Sequence, residues 1–462
     1  MPISTDSPRV AGHAAVRTAV IGSGIAGLSC AHSLVQGGKH VTLYEAGNHF
    51  GGHTHTVDVT LDGITHPVDT GFLVFNERTY PRLISLFGAL GVPVAKSEMS
   101  FSVSLGGARR EIEWAGTSIA SLFAQPGNLL KPRFWLMLRD IMRFNRDATA
   151  VARHGLAVRH PVGPAVARDT QSLGAYLDSG KYSRAFRDWY LLPMAGAIWS
   201  CPTETMLAYP FATFARFCHN HGLLQVSNRP QWFTVQNGAR EYVRRIIAGQ
   251  TDARLQIAVQ SVKRDAGGVL VTSAGKEERF DAVVLACHPE QSLALLDAPS
   301  AAERAVLAAI RYQPNVAWLH TDTALLPQRR AAWAAWNYLS QSADTLDGRA
   351  VAVTYLINKL QPVPFTTPVM VTLNPFTAPA ASKVIQRIEY AHPVFDQAAL
   401  AAQQRLPSIQ GEDRIWFAGA WCGYGFHEDG VTAGQDAAAR IQVALPAAVD
   451  VPQQSAEWRA AA

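Results

Sequence analysis

The sequence has little charge and no paired cysteines, and each shortage excludes something. Asp, Glu, Lys and Arg make up only 17% of the 462 residues against 48% hydrophobic, a balance that excludes an intrinsically disordered chain. There is no long charge run, and a net charge of +5 is too small to mark a nucleic-acid partner. The five cysteines, at 30, 201, 218, 287 and 422, include no C-x-x-C pair, and none lies within sixteen residues of another. That excludes a disulfide ladder and suits a reducing compartment. No G-x-S-x-G occurs, so an α/β-hydrolase nucleophile elbow is excluded. The start, Met1 to His13, carries Asp6 and Arg9 and lacks an apolar run, so no secretory signal is expected. Two uncharged stretches, Thr18–Gly38 and Leu360–Ser382, are broken by closely spaced glycines and by five prolines respectively, and neither reads as a membrane span.

What is present points to an α/β chain of two or three domains. Residues 17–45 read as strand (TAVIG), glycine turn, helix and strand (HVTLYEA). Pro81–Leu90 reads as a short helix stopped by Gly91 and Pro93. A strand pair is expected near Gln256–Lys263 and Val269–Thr272, then the apolar strand AVVLAC at 282–287, and near the end the strand RIWFAGA at 414–420. Within the first unit, Gly22-Ser23-Gly24-Ile25-Ala26-Gly27 matches G-x-G-x-x-G between a strand and a helix. Gly22 permits the tight turn, Gly24 lets backbone approach a pyrophosphate, and Gly27 lets helix and strand pack closely. The helix N-terminus offers free N–H groups to phosphates. Glu45, 23 residues after Gly22, ends the second strand where a ribose would be bound. A plain βα turn would explain the glycines alone; strand, helix and acid together select a dinucleotide site.

Other constellations have duller readings. His53/His55 and His219/His221 are H-x-H pairs, but no Cys, Asp or Glu stands at ligand spacing, and no metal is expected. Cys287 ends an apolar strand and reads as a small buried hydrophobe. His427, Glu428 and Asp429 precede Gly430. Asp429 reads equally as an N-cap to a helix at 431–438, whereas His427 reads as functional, because a cap needs no imidazole.

After Glu45 comes a second glycine pair, Gly51-Gly52, followed by His53-Thr54-His55-Thr56. This resembles the E-x(5)-G-G-R-x-x-[ST] pattern of the flavin amine oxidase and phytoene desaturase superfamily, with His53 where Arg is usual. VDTGFLVFN at 68–76, VQNGAREYV at 235–243 (Asn237 for a usual Gly) and FAGAWCGYGFHEDGVTAG at 417–434 resemble its other flavin segments, with Ala420 where an acid is usual. The resemblance implies a discontinuous, amine oxidase-like Rossmann-type FAD domain at 15–95, 232–290 and 405–445. An inserted α+β substrate domain at 96–231 and 291–404, and loose ends at 1–14 and 446–462, complete the division. It implies noncovalent FAD held by Gly22, Ser23, Gly24, Ile25, Ala26, Gly27, Glu45, Ala46, Gly51, Gly52, His53 and Thr54. Gly71, Phe72, Val259, Gly419, Ala420, Asp429, Gly430 and Val431 are the remaining expected contacts. His427, Glu428 and Tyr424 are the expected catalytic residues, and Trp421 with Tyr424 is the nearest approach to an aromatic pair framing an amine.

With no second G-x-G-x-x-G for NADPH, the organic substrate is expected to reduce the flavin. The combination of G-G-H-T-H-T, V-D-T-G-F and F-A-G-A-W-x-G-Y-G-F-H-E-D-G is similar to bacterial flavoprotein desaturases of methyl-branched and furan fatty acid synthesis. That implies dehydrogenation of an unsaturated methyl-branched acyl chain of a phospholipid by hydride transfer to flavin N5. Amine oxidation and a carotenoid- or porphyrinogen-type dehydrogenation are the alternatives, and a non-catalytic FAD module is a separate class.

Lys131–Arg153 forms a helical pattern with Phe134, Met137, Leu138, Ile141 and Phe144 on one stripe and Arg139, Arg143, Arg146 and Arg153 opposite. It reads either as a core helix with a solvated basic face or as a surface for an anionic membrane. The expected location is the cytoplasm, with peripheral contact at the inner face of the cytoplasmic membrane under the second reading.

Overall fold

Two sheets of different kinds divide the chain in the computed structural model, which describes residues 16–107, 111–157, 171–199, 203–225, 229–341 and 352–446. The expected loose ends lie outside the described residues, save residue 446. The first sheet is five-stranded, in the order Asp252–Leu255, His40–Glu45, Arg17–Ile21, Ala282–Leu285 and Ile415–Phe417, with every pair parallel. Its strands come from three distant parts of the chain. The central strand is covered on both faces, which is why it reads as an unbroken apolar run. Val20 packs among the residues of the helices Ile25–Gln36 and His427–Ala444. Its neighbours Ala19 and Ile21 point the other way, onto a three-stranded antiparallel sheet (Val259–Asp265, Gly268–Ser273 and Lys276–Phe280).

Close approach explains the glycines at the start of the first helix. Gly22 has φ +101°, and a Cβ on Gly27 would lie 1.8 Å from the Gly22 carbonyl oxygen. A Cβ on Gly434 would lie 2.1 Å from the Ala26 carbonyl oxygen, so the last helix needs glycine where it crosses the first.

The second sheet has seven strands, in the order Val384–Pro393, Tyr312–His320, Met370–Leu373, Ala352–Leu356, Trp336–Leu339, Phe101–Leu105 and Ile112–Ala115. All its pairs are antiparallel except Trp336–Leu339 with Phe101–Leu105. A helical layer, including Pro132–Ala157, Leu192–Trp199 and Phe211–Asn220, forms its own aromatic core around Phe144, Phe186, Phe214 and Phe217. The fold is therefore α/β, a parallel dinucleotide-type sheet joined to a second, largely antiparallel sheet with helices.

Three expectations shift. The boundary at 95 cuts the strand Val94–Ser97, which pairs with Trp232–Val235. The segments near 300–310 and 397–404 are expected in the substrate domain. Val306, Leu307, Ala399 and Ala402 instead pack with Val283, Leu285 and Ile415 of the parallel sheet. The long basic helix turns Phe134, Met137 and Phe144 into the core, so the apolar stripe seen in its sequence is not a surface. The short helix appears as expected at Pro81–Leu90, stopped by Gly91 in the left-handed region at φ +64°.

Candidate active site

A cavity of about 840 Å³, lined from both sheets, runs from the glycine turn to the helical layer. It lies toward the upper end of small-molecule site volumes. At one end the helix Ile25–Gln36 starts from Gly24, whose N-cap position carries no side-chain hydrogen bond. The first-turn N–H groups thus remain for an anion. Nothing lies within 4 Å of where a Cβ on Gly24 would point, so the backbone there faces open space. Gly51 donates its N–H to the Ser23 carbonyl at 3.0 Å, bringing the second glycine pair onto the first turn. The Glu45 carboxylate accepts from the Ser23 N–H (3.0 Å), the Ser23 hydroxyl (2.5 Å) and the Gly47 N–H (2.7 Å). These bonds fix its direction at the cavity wall beside Ala46 and Val259. An uncapped helix N-terminus, open backbone at Gly24 and an oriented carboxylate 23 residues on match the pyrophosphate and ribose of a dinucleotide. The donor set fits FAD.

Of the residues expected from sequence, Gly22, Ser23, Gly24, Ile25, Ala26, Glu45, Ala46, Gly51, Gly52, His53, Gly71, Phe72, Val259, Gly419, Ala420, Tyr424 and His427 line this cavity. Six others stand behind the wall. Gly27 is taken up in helix–strand packing, and a Cβ on Gly430 would lie 2.6 Å from the Ile25 side chain. The Val431 carbonyl accepts from the Ser29 hydroxyl at 3.5 Å. Asp429 is not an N-cap: the helix begins at His427, and the Asp429 carboxylate reaches back to the Phe426 N–H at 2.9 Å. Burial raises its pKa to about 6. Glu428, expected to be catalytic, spends both oxygens on the N–H groups of Arg82 and Leu83, each at 2.9 Å. It caps the helix Pro81–Leu90, which has no cap of its own because Tyr80 supplies none. Thr54 is buried; its hydroxyl bonds to the Tyr242 hydroxyl and lies 3.0 Å from His427 Nε2.

His427 lies flat on Phe72, with ring centres 3.7 Å apart. Burial, with His53 nearby, pushes its pKa down to about 3. His53, in the place of the usual arginine, stacks on Tyr390 at 4.8 Å and leans on His392 at 5.1 Å. Its Nε2 is buried with no protein partner, and burial pushes its pKa to about 4. His55 turns away to stack on His49, and His221 stacks on Phe217. The two H-x-H pairs therefore serve different neighbourhoods. Trp421 donates its indole N–H to the Cys287 carbonyl at 3.3 Å, while Tyr424 meets Phe217 edge-on.

Sequence reasoning missed Tyr390 and His392, His288 and Tyr312, and Trp336 and Tyr355, all in the cavity wall. Tyr390 and His392 had a signal: two residues apart near the end of the strand Val384–Pro393, they share a face. It also missed Asp69, which accepts from the Ala239 N–H at 2.9 Å and from Gln361 at 2.6 Å. That buried carboxyl, its pKa raised to about 6 by desolvation, ties the Gly71–Phe72 segment to the turn at Asn237 and Gly238. Among the described lining residues Glu45 is the only Asp, Glu, Lys or Arg. All five histidines there (His53, His221, His288, His392 and His427) have pKa values lowered by burial to about 3–4.

The family model described as flavin containing amine oxidoreductase matches residues 25–442. No curated protein sequence matches the chain. Among solved structures, cyclohexylamine oxidase from Brevibacterium oxydans is similar with a TM-score of 0.66 at 18% identity, over 93% of this chain and 99% of that one. Putrescine oxidase gives 0.65 at 17%, over 93% and 99%. A fatty acid isomerase from P. acnes that produces CLA gives 0.62 at 15%, over 92% and 98%. These likenesses show the shared fold. With the family model spanning nearly the whole chain and the donor set placed as above, the chain belongs to the flavin-containing amine oxidoreductase family, and its cofactor is FAD.

Proposed function

We propose that this oxidoreductase dehydrogenates an apolar substrate, an unsaturated methyl-branched acyl chain of a phospholipid. The observation that carries this reading is the wall of the cavity's far end. Phe72, Leu73, Val74, Met99, Ile198, Trp199, Phe217, Leu223, Trp336, Tyr355, Val371 and Leu373 line it, with no charged side chain among its described residues. Such a wall gains from burying methylenes and penalises an unpaired charge. The same fold carries a fatty acid isomerase, so an acyl chain suits this architecture.

When bound, FAD supplies a two-electron acceptor for a hydride. The substrate loses that hydride and one proton and gains one C=C bond. The Gly22–Ala26 turn and Glu45 hold the dinucleotide, and the aromatic walls orient the chain and exclude water. His427 is fixed by Phe72 on its face and by the Thr54 hydroxyl at Nε2. Burial holds it neutral, so it offers the site a fixed hydrogen-bonding ring and not a stored proton. Its neutrality also keeps charge away from the apolar wall.

A second reading, oxidation of an amine, draws on the likeness to cyclohexylamine oxidase. Among the described lining residues the cavity offers no carboxylate beyond Glu45 to pair with an ammonium. The test is anaerobic reduction of the yellow holoprotein. A methyl-branched monoenoic phospholipid in mixed micelles should bleach the flavin band and yield a product two hydrogens lighter. Bleaching by simple amines and not by the lipid would reverse the assignment.

A further inference from the structure

Six of the eleven large apolar side chains exposed among the described residues fall between residues 119 and 142. Leu130 is 87% exposed, Ile119 79%, Met142 59% and Trp135 50%. They form one surface. The Trp135 indole donates to the Leu129 carbonyl at 2.9 Å, fastening the turn Pro126–Leu130 to the helix that follows. Phe123 touches Trp135 at 5.7 Å between ring centres, which brings the short helix Ile119–Leu122 alongside. Along the long helix Trp135, Arg139, Met142 and Arg146 succeed one another at helical spacing on the outward face. Arg139 pairs with the buried Asp140 and Arg146 with Asp147, yet their side chains remain 63% and 76% exposed. Residues 131–153 hold six basic and two acidic side chains, an excess of four in a chain whose total is five.

We infer that this face docks on an anionic lipid surface, with Leu129, Leu130 and Trp135 at headgroup depth and Arg139 and Arg146 on lipid phosphates. Leucines and a tryptophan interleaved with arginines on one face are the pattern of an interfacial helix. A second copy of the chain suits the face poorly, because a two-fold contact sets the same patch against itself and brings arginines toward arginines. The helix that carries the face packs on Phe211–Asn220, whose Phe217 lines the cavity. The inference rests on the acyl-chain reading for its purpose: each methylene drawn into water costs about fourfold in equilibrium, so the enzyme goes to the lipid.

Vesicle flotation of the holoprotein tests it. The wild type should float with phosphatidylcholine vesicles containing phosphatidylglycerol, stay behind with phosphatidylcholine alone, and be released by salt. The double variant Leu129→Asn/Leu130→Asn should partition about tenfold less. Arg139→Gln/Arg146→Gln should lose the preference for anionic lipid. Unchanged flavin absorbance and melting temperature will show that both variants fold. Wild type left unbound by the anionic vesicles, or variants that float as it does, would overturn the inference. So would a dimer in sedimentation that the leucine variant abolishes, which would give the face to a second copy. Flotation needs no turnover and the micelle assay needs no vesicle, so failure of docking and failure of the acyl-chain reading give separate results.

Discussion

The two ends of the cavity recognise their occupants by different means. At the dinucleotide end the contacts are backbone: a helix N-terminus, two glycine pairs and one carboxylate whose direction is set by Ser23 and Gly47. At the far end they are side chains, chiefly rings from the helical layer and from the second sheet. At Gly22 and Gly27 the backbone end leaves no room for an added atom, because main chains are in contact there. The ring end can trade one apolar side chain for another at modest cost, but it cannot accept a charge. The dinucleotide end is thus held by main-chain geometry, while the far end is an apolar volume.

The largest effect should come from the backbone end. Gly27→Val places a Cβ 1.8 Å from the Gly22 carbonyl oxygen, main chain against main chain. Loss of about 3 kcal/mol or more is expected, seen in denaturant unfolding as a protein that is barely folded and carries no flavin. A soluble yellow variant would show that the turn can open.

Acid should strain both ends together. Seven histidines (His53, His55, His221, His288, His320, His392 and His427) have folded pKa values of about 3–4, below the ordinary 6.5. Between those values the unfolded chain binds protons that the native state refuses, so stability falls as pH drops below 6.5. Asp69 and Asp429, raised from 3.8 to about 6, act in the opposite sense over much of that window. At pH 5 the seven histidines outweigh the two aspartates, so the balance of protons favours the unfolded chain. The melting temperature should therefore decline steadily from pH 7 to pH 5; a flat profile would mean that the histidines are not held neutral.

Leu223→Glu separates the two ends. A carboxylate on the half-buried wall should lower lipid-driven flavin reduction about a hundredfold while leaving bound FAD in place. Glu45→Gln does the converse and more mildly. Hydrogen bonds from ribose to a charged acceptor are worth about 1.5–3 kcal/mol, so FAD affinity should fall about tenfold to a hundredfold, read by retention on dialysis. Unchanged retention would reduce Glu45 to its bonds with Ser23 and Gly47.

Legibility follows the same division. The turn from Gly22 to Gly27, the acid at Glu45 and the pair Gly51–Gly52 are local in sequence, and their spacing states their geometry. Four of the parallel strands read well because burial leaves apolar runs, whereas the edge strand Asp252–Leu255, half-exposed and polar, gave no such signal. His427, Glu428 and Asp429 stand side by side in sequence yet part company in space. His427 faces the cavity, Glu428 caps the helix at Pro81, and Asp429 turns back on its own helix. A helix projects successive residues about 100° apart, so adjacency gave no hint of which one faces the site.

By itself, then, the sequence determined the dinucleotide turn, the four apolar strands of the parallel sheet and the glycines of the first turn, since each is written in a short stretch of chain. Only the tertiary structure decided which rings from Trp199, Trp336, Tyr355 and Tyr390 meet around one space, and which face of the long basic helix looks outward. Those outcomes depend on packing between segments hundreds of residues apart, where burial sets both the apolar wall and the neutrality of the histidines within it.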